Sequence, residues 1–144
     1  MKKPAVKSPF LLFLNLGILL CGAIPAFSEY KSGYHTYLDV KIDMERTLFK
    51  LNEPIEGKVI IINTGPATLP GSFTVELFKE DELKFTTTTY IKTIFLGQTD
   101  FAFKNFGIPK FNDRPNDVGR WRLVIYPSNR DAESGAQKDF EIEK

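Results

Sequence analysis

Cysteine and histidine are nearly absent from this sequence of 144 residues, which has one of each, Cys21 and His35. A single cysteine cannot form a disulfide within the chain. Zinc and copper sites are built mostly from several cysteines or histidines, which this chain does not have. The sequence therefore predicts no site of that kind, and the stability of the fold must come from packing.

His35 is also the only histidine that a Ser-His-Asp triad could use. It lies in a polar stretch beside Gly33 and Thr36, where nothing would hold an imidazole within reach of a substrate. The glycines of the chain stand singly at turns and form no phosphate-binding loop. We expect His35 to be solvated, and we assign no catalytic, cofactor-binding or metal-ligating residue and no cofactor.

The charge is almost balanced, at a formal +1, with both signs interspersed. This argues against a protein that binds nucleic acid or an anionic membrane. Arg120 and Arg122 flank Trp121, as stacking sites for single-stranded nucleic acid sometimes do. In a strand, however, the tryptophan would lie on the opposite face from both arginines, so we interpret Trp121 as a core residue.

Residues 1–28 have the parts of a removable secretion signal. Three lysines and no acidic residue precede an apolar run of fifteen residues at 10–24, which is short beside the roughly 20 that span a bilayer. Pro25 ends the run, and Ala26 and Ser28 are the small residues that a signal peptidase reads. We predict cleavage after Ser28 and a periplasmic or extracellular location.

Two other outcomes remain open for this segment. The apolar run could stay uncleaved as an anchor, which is the one way in which we expect the chain to contact a membrane. Cys21 could be lipidated, although Leu20 stands where lipoprotein signals have a small residue. Beyond the signal, we predict a flexible lead-in at 29–37 and one folded domain at 38–144.

Apolar residues alternate with polar ones along most of that domain, which predicts β-strands with one buried face. The first strand begins at Leu38 and could continue through 47–51 after a kink. A central strand rich in β-branched residues covers 57–63. Phe73, Val75 and Leu77 point inward in the next strand.

A charged turn at 80–82 precedes a threonine-rich strand, whose composition predicts a position at a sheet edge. Further strands are predicted at 99–106, 120–125 and 139–143, and the longest loop at 107–117. Seven or eight short strands without helical periodicity indicate an all-β sandwich of antiparallel strands.

Two segments resemble bacterial immunoglobulin-like domains. Residues 51–59 (LNEPIEGKV) and the following Asn63-Thr64-Gly65 are similar to a proline turn that leads into a strand ending in Asn-x-Gly, and residues 117–123 (DVGRWRL) resemble the entry into a late strand. Both cell-adhesion-related domains and macroglobulin-like repeats share these features. The resemblance implies a spacer, an adhesive module or an accessory part of an exported system. It also places Trp121 where such domains often carry a tyrosine whose hydroxyl bonds the backbone.

Two polar clusters invite functional hypotheses. The long loop gathers oxygen-bearing side chains that could hold calcium or could bond their own backbone as turn residues: Asn112, Asp113, Asn116 and Asp117. Glu80, Asp81 and Glu82 could form a carboxylate pair of a hydrolase, or point separately into water from a turn. No calcium-loop spacing is present, and we favour the turn interpretation for both clusters.

The sequence thus favours a non-enzymatic exported module that binds a protein or a cell-envelope component through loops or a sheet edge. The alternative is a small exported inhibitor or accessory subunit that inserts the 107–117 loop into its partner. A hydrolase is the third hypothesis, and it has the least support.

Overall fold

The computed structural model describes residues 37–144, which form eight β-strands and no α-helix. The strands are β1 (Leu38–Asp43), β2 (Leu48–Lys50), β3 (Lys58–Asn63), β4 (Leu69–Lys79), β5 (Glu82–Ile94), β6 (Gly97–Ala102), β7 (Gly119–Pro127) and β8 (Ala136–Glu143). None of the helical turns in this part of the chain is long and apolar enough to cross a membrane. The predicted signal, Cys21, His35 and the lead-in up to residue 36 lie outside the described residues.

The strands form two sheets. One has three strands in the order β1-β3-β6, and the other has five in the order β2-β8-β7-β4-β5. Neighbours are antiparallel except for β2 and β8, which run parallel. The all-β sandwich with eight strands is therefore confirmed, with β3 in the centre of its sheet and β5 at an edge, as the sequence predicted.

The first strands of the described domain differ from the prediction in one respect. Residues 47–51 do not extend the first strand: β1 ends at Asp43, and β2 joins the other sheet beside β8. Met44 is buried at the crossing. A change of sheet cannot be read from alternation, because the inward and outward pattern is the same whichever sheet receives the strand.

The core consists of the inward positions of both sheets. Phe73, Val75 and Leu77 of β4 are at most 2% exposed, and Trp121, Leu123 and Ile125 of the neighbouring strand β7 are also buried, which confirms both predicted faces. Val124 points to the outer face of β7 and is nevertheless buried. The alternation predicted a solvent-facing position there.

The connection between β6 and β7 is the longest in the described domain, and it begins earlier than predicted. β6 ends at Ala102, so Phe103 starts a 3-10 helical turn rather than closing the strand. The Phe103 ring lies directly over Gly57, where an added Cβ would come within 2.3 Å of the ring. Phe103, Phe106 and Ile108 are all buried, so this connection is part of the core rather than a free loop.

The domain also holds the last residue of the predicted lead-in. The carbonyl of Tyr37 accepts hydrogen bonds from the backbone N–H and the hydroxyl of Thr64, at 2.9 and 3.2 Å. Thr64 belongs to the Asn63-Thr64-Gly65 turn, in which the Asn63 side chain accepts the N–H of Gly65. Tyr37 is therefore tied to this turn by its backbone carbonyl.

Candidate binding surfaces

Trp121 lies in a corner between β7 and the long loop. Its ring is 4.9 Å from that of Phe111 and 6.5 Å from that of Phe140, to which it is nearly parallel. The indole Nε1–H donates to the carbonyl of Asp117 at 2.7 Å. The tyrosine corner of immunoglobulin domains makes a bond of the same kind with a hydroxyl, so the indole N–H takes over that role here.

Asn112 is a structural residue of the long loop. Its side-chain amide donates to the carbonyls of Lys50 and Glu53, at 2.9 and 2.7 Å, which ties the loop to the turn after β2. The backbone of Asn112 has a positive φ of 85°, a conformation that asparagine tolerates better than most residues. Its Oδ1 atom is buried without a hydrogen-bond partner among the described residues.

The other three polar residues of the loop do not gather around one point. Asp117 accepts the backbone N–H groups of Asp113 and Arg114, at 3.2 and 2.9 Å. Asp113 and Asn116 are exposed. Within residues 37–144, no three histidine, cysteine or acidic side chains are placed to hold a metal ion. Asn112 and Asp117 bond the backbone, as turn residues do.

A second polar surface lies on the outer face of the five-stranded sheet, around the β4–β5 turn. It is a shallow depression of about 320 Å³, and we refer to it as the charged depression. Its charged lining comes from the turn and from β7 and β8: Glu80, Asp81, Arg120, Arg122, Asp139 and Glu141. The sequence analysis had singled out the acids at 80–82 and the arginines beside Trp121, but it did not bring the two groups together.

Pairing of β7 with β8 completes the charged depression, because it sets Arg122 opposite Asp139. The Arg122 guanidinium bonds Asp139 at 2.9 Å and reaches Asp81 at 3.3 Å. Alternation alone places Arg122 and Asp139 on outer faces of their strands. It does not show that these strands are neighbours, so Asp139 and Glu141 were missed.

The three acids of the β4–β5 turn point to three different cations. Glu80 accepts the backbone N–H of Arg120 at 2.9 Å and its guanidinium at 3.1 Å, whereas Asp81 faces Arg122. Glu82 pairs with Lys84 at 2.6 Å. Each of the three carboxylates is therefore bound to a different cation.

Hydrogen bonds favour the ionised forms of Glu80 and Arg122. The backbone N–H of Arg120, followed by its guanidinium, lowers the pKa of Glu80 below the ordinary 4.5. The Asp139 carboxylate raises the pKa of Arg122 above its usual range. Both side chains are charged near neutral pH, so Glu80 is a poor proton donor there. The depression can offer charges of both signs to a ligand.

A third surface is the free edge of the five-stranded sheet. β5 is 13 residues long and, among the described residues, pairs only with β4. Its inward residues, such as Phe85 and Thr87, are half-buried, and its outward residues Thr86, Thr88 and Tyr90 are exposed. One long side of this strand thus leaves backbone groups without a strand partner.

The strand order defines the class of the domain. Constant-type immunoglobulin sandwiches have their first, second, fifth and fourth strands in one sheet, and their third, sixth and seventh in the other. Here β1-β3-β6 forms the first group, and β8-β7-β4 the second, extended by β5 at one edge and β2 at the other. Together with the corner at Trp121, this topology is that of an immunoglobulin-like β-sandwich.

Solved structures of similar fold include the CARDB domain of the PF1109 protein from Pyrococcus furiosus. Its solution structure is 16% identical, with a TM-score of 0.47, and the match covers 74% of this chain and 94% of that one. Its crystal structure, a complex with di-metal ions, is 17% identical with a TM-score of 0.46, over 74% of this chain and 87% of that one. No protein-family model and no curated protein matches the chain.

A further match is part of a much larger enzyme, a cycloisomaltooligosaccharide glucanotransferase from Paenibacillus sp. It is 14% identical with a TM-score of 0.48, and it covers 72% of this chain but 14% of the enzyme. None of these similarities bears on a site or a partner of this chain.

Proposed function

We propose that this chain is a non-enzymatic exported module that binds a protein or a cell-envelope component through the charged depression. The observation that carries the proposal is the depression itself: three segments place positive and negative groups around one concave surface. Arrays of this kind give orientation and specificity to a contact rather than chemistry. Export rests on the sequence of residues 1–28.

The arrangement of the acids supports binding over hydrolysis. General acid catalysis needs a carboxyl whose pKa lies near the working pH. The pKa values of Glu80 and Glu82 are both lowered, by Arg120 and Lys84 respectively. A ligand with its own acidic and basic groups can replace these ion pairs, since they are exposed and individually weak.

The test uses the protein in the form in which cells release it and measures which partner it captures from the exported fraction. Arg122→Glu is the test variant. This change places a third carboxylate beside Asp81 and Asp139, so that the three repel one another. It should abolish capture of a partner that uses the charged depression. Lys41→Glu, on β1 of the other sheet, is the matched control. Thermal unfolding of each variant confirms that it is folded, and capture that survives Arg122→Glu contradicts the proposal.

The accessory-subunit hypothesis has one structural observation in its favour. Phe111 and Asn112 anchor the long loop to the rest of the domain. The next residues, 113–116, are exposed at the tip of this anchored loop. A partner that accepts this tip should be lost on Arg114→Glu, because the Arg114 side chain is 82% exposed. The same capture experiment therefore separates the two hypotheses by which of the two variants fails.

A further inference from the structure

The charged depression has more negative groups than positive ones. Of its two cations, Arg120 is the more exposed, and Glu80 binds its guanidinium at 3.1 Å. Lys79, at the end of β4, does not add to the positive side, because its ammonium donates to the carbonyl of Asn116 in the long loop. Four carboxylates and two guanidinium groups line the surface: Glu80, Asp81, Asp139 and Glu141 against Arg120 and Arg122.

The ion pairs at the centre of the depression leave carboxylates open to solvent. Arg122 is shared between Asp81 and Asp139, and these two acidic side chains are 83% and 67% exposed, whereas that of Arg122 is 40% exposed. Among the described residues, Glu141 forms no ion pair. The central cation is thus covered more than the acids around it. A partner that approaches the centre meets mainly negative charge, to which a basic group is complementary.

Apolar side chains lie on both sides of the charged depression. Leu83 of β5 faces Phe78 of β4, which is part of the lining, and Leu48 of β2 faces Glu141 of β8. Both leucines are about half exposed. Four strand spacings separate β2 from β5, so the leucines lie about 20 Å apart, which is the length of about seven extended residues.

From this arrangement we propose that the charged depression binds an extended segment of a partner protein, with basic residues in its middle and an apolar residue toward each end. This inference rests on the proposed function, to which it adds the chemistry of the partner. A lysine or arginine over the centre meets the carboxylates of Asp81, Asp139 and Glu141. Exposed ion pairs are individually weak, so the contacts with Leu48 and Leu83 supply much of the affinity.

Selection from a library of random seven-residue peptides tests the proposal on the protein in the form in which cells release it. We expect the enriched peptides to have lysine or arginine at central positions and apolar residues near both ends. Isothermal titration calorimetry then measures the affinity of an enriched peptide. Its binding should weaken as salt is added, because exposed charges are screened.

Two double variants separate the contributions of charge and apolar contact. Asp139→Asn with Glu141→Gln should weaken the peptide by about tenfold, since two exposed ion pairs are lost. Leu48→Ser with Leu83→Ser should also weaken it, but without reducing its dependence on salt. The control is Asp100→Asn with Glu133→Gln, which removes the same charge at exposed sites elsewhere and should change little. Thermal unfolding of each protein confirms that it is folded.

Enrichment of acidic or uncharged peptides, or of none, overturns the inference. So does a basic peptide that binds the Asp139→Asn, Glu141→Gln protein as tightly as the parent. If the captured partner is nevertheless lost on Arg122→Glu, only the basic segment is wrong, and the charged depression remains the binding site. If basic peptides bind as expected but capture survives Arg122→Glu, the peptide preference stands and the proposed function is contradicted.

Discussion

At the scale of single residues, Trp121 both packs in the core and makes a hydrogen bond that closes a corner. Its ring packs between Phe111 and Phe140, and its N–H closes the corner by bonding the Asp117 carbonyl. It is the only tryptophan of the chain. The sequence predicted its burial, and the structure adds the hydrogen bond, which depends on how the loop before β7 folds back.

Trp121→Ala should lower the free energy of unfolding by about 3 to 5 kcal/mol, since a large buried aromatic is removed. Trp121→Phe keeps most of the packing and loses the hydrogen bond, so it should cost about 1 kcal/mol for that bond plus some packing. Urea denaturation measures both values. Water-like tryptophan fluorescence from the folded protein would contradict the placement.

The ion pair of Glu80 with Arg120 should make part of the stability depend on pH. The pKa of Glu80 is lowered in the folded state, mainly by the backbone N–H of Arg120. Its contribution is therefore present above pH 4.5, the ordinary value, and is lost as the pH falls through the lowered value. Glu80→Gln should lower the thermal midpoint near neutral pH and make little difference in strong acid.

Calorimetry in both pH ranges measures this difference. Glu133→Gln, at an exposed site in the β7–β8 connection, is the control. If the difference in thermal midpoint between the parent and Glu80→Gln grew as the pH fell, the ion pair would not be the source of the difference.

At the scale of elements, the long connection between β6 and β7 behaves as part of the core. Phe111 holds its second half against Trp121 and Phe140, at 4.9 and 5.7 Å between ring centres. The sequence identified this segment as the longest loop from its prolines, asparagines and aspartates. It could not show the anchoring, which depends on a strand end and a turn that are distant along the chain.

Phe111→Ala should loosen this connection while the sheets remain paired. Trypsin should then cleave after Lys110, which is exposed, many times faster than in the parent protein. Phe95→Ala removes a ring that is 63% exposed and should leave the cleavage rate unchanged. Equal protection of Lys110 in all three proteins would show that Phe111 does not anchor the loop.

At the scale of the whole molecule, residues 1–28 remain a prediction about processing. We expect cleavage between Ser28 and Glu29, because Ala26 and Ser28 are small and Pro25 ends the apolar run. Intact mass spectrometry of the exported protein measures the new N-terminus. A species that keeps residues 1–28, or one that begins at a lipidated Cys21, would contradict an exported protein free of the membrane.

The sequence by itself determined the all-β class, most strand positions, the buried face of β4 and β7, and the edge position of β5. These follow from alternation and composition, which are local properties read within a few residues. Only the tertiary structure decided that β2 changes sheet, that Asn112 binds the turn after β2, and that Arg122 meets Asp139. Each joins segments far apart in the chain, and the choice of a strand's neighbour is made by packing the whole core, which no local pattern encodes.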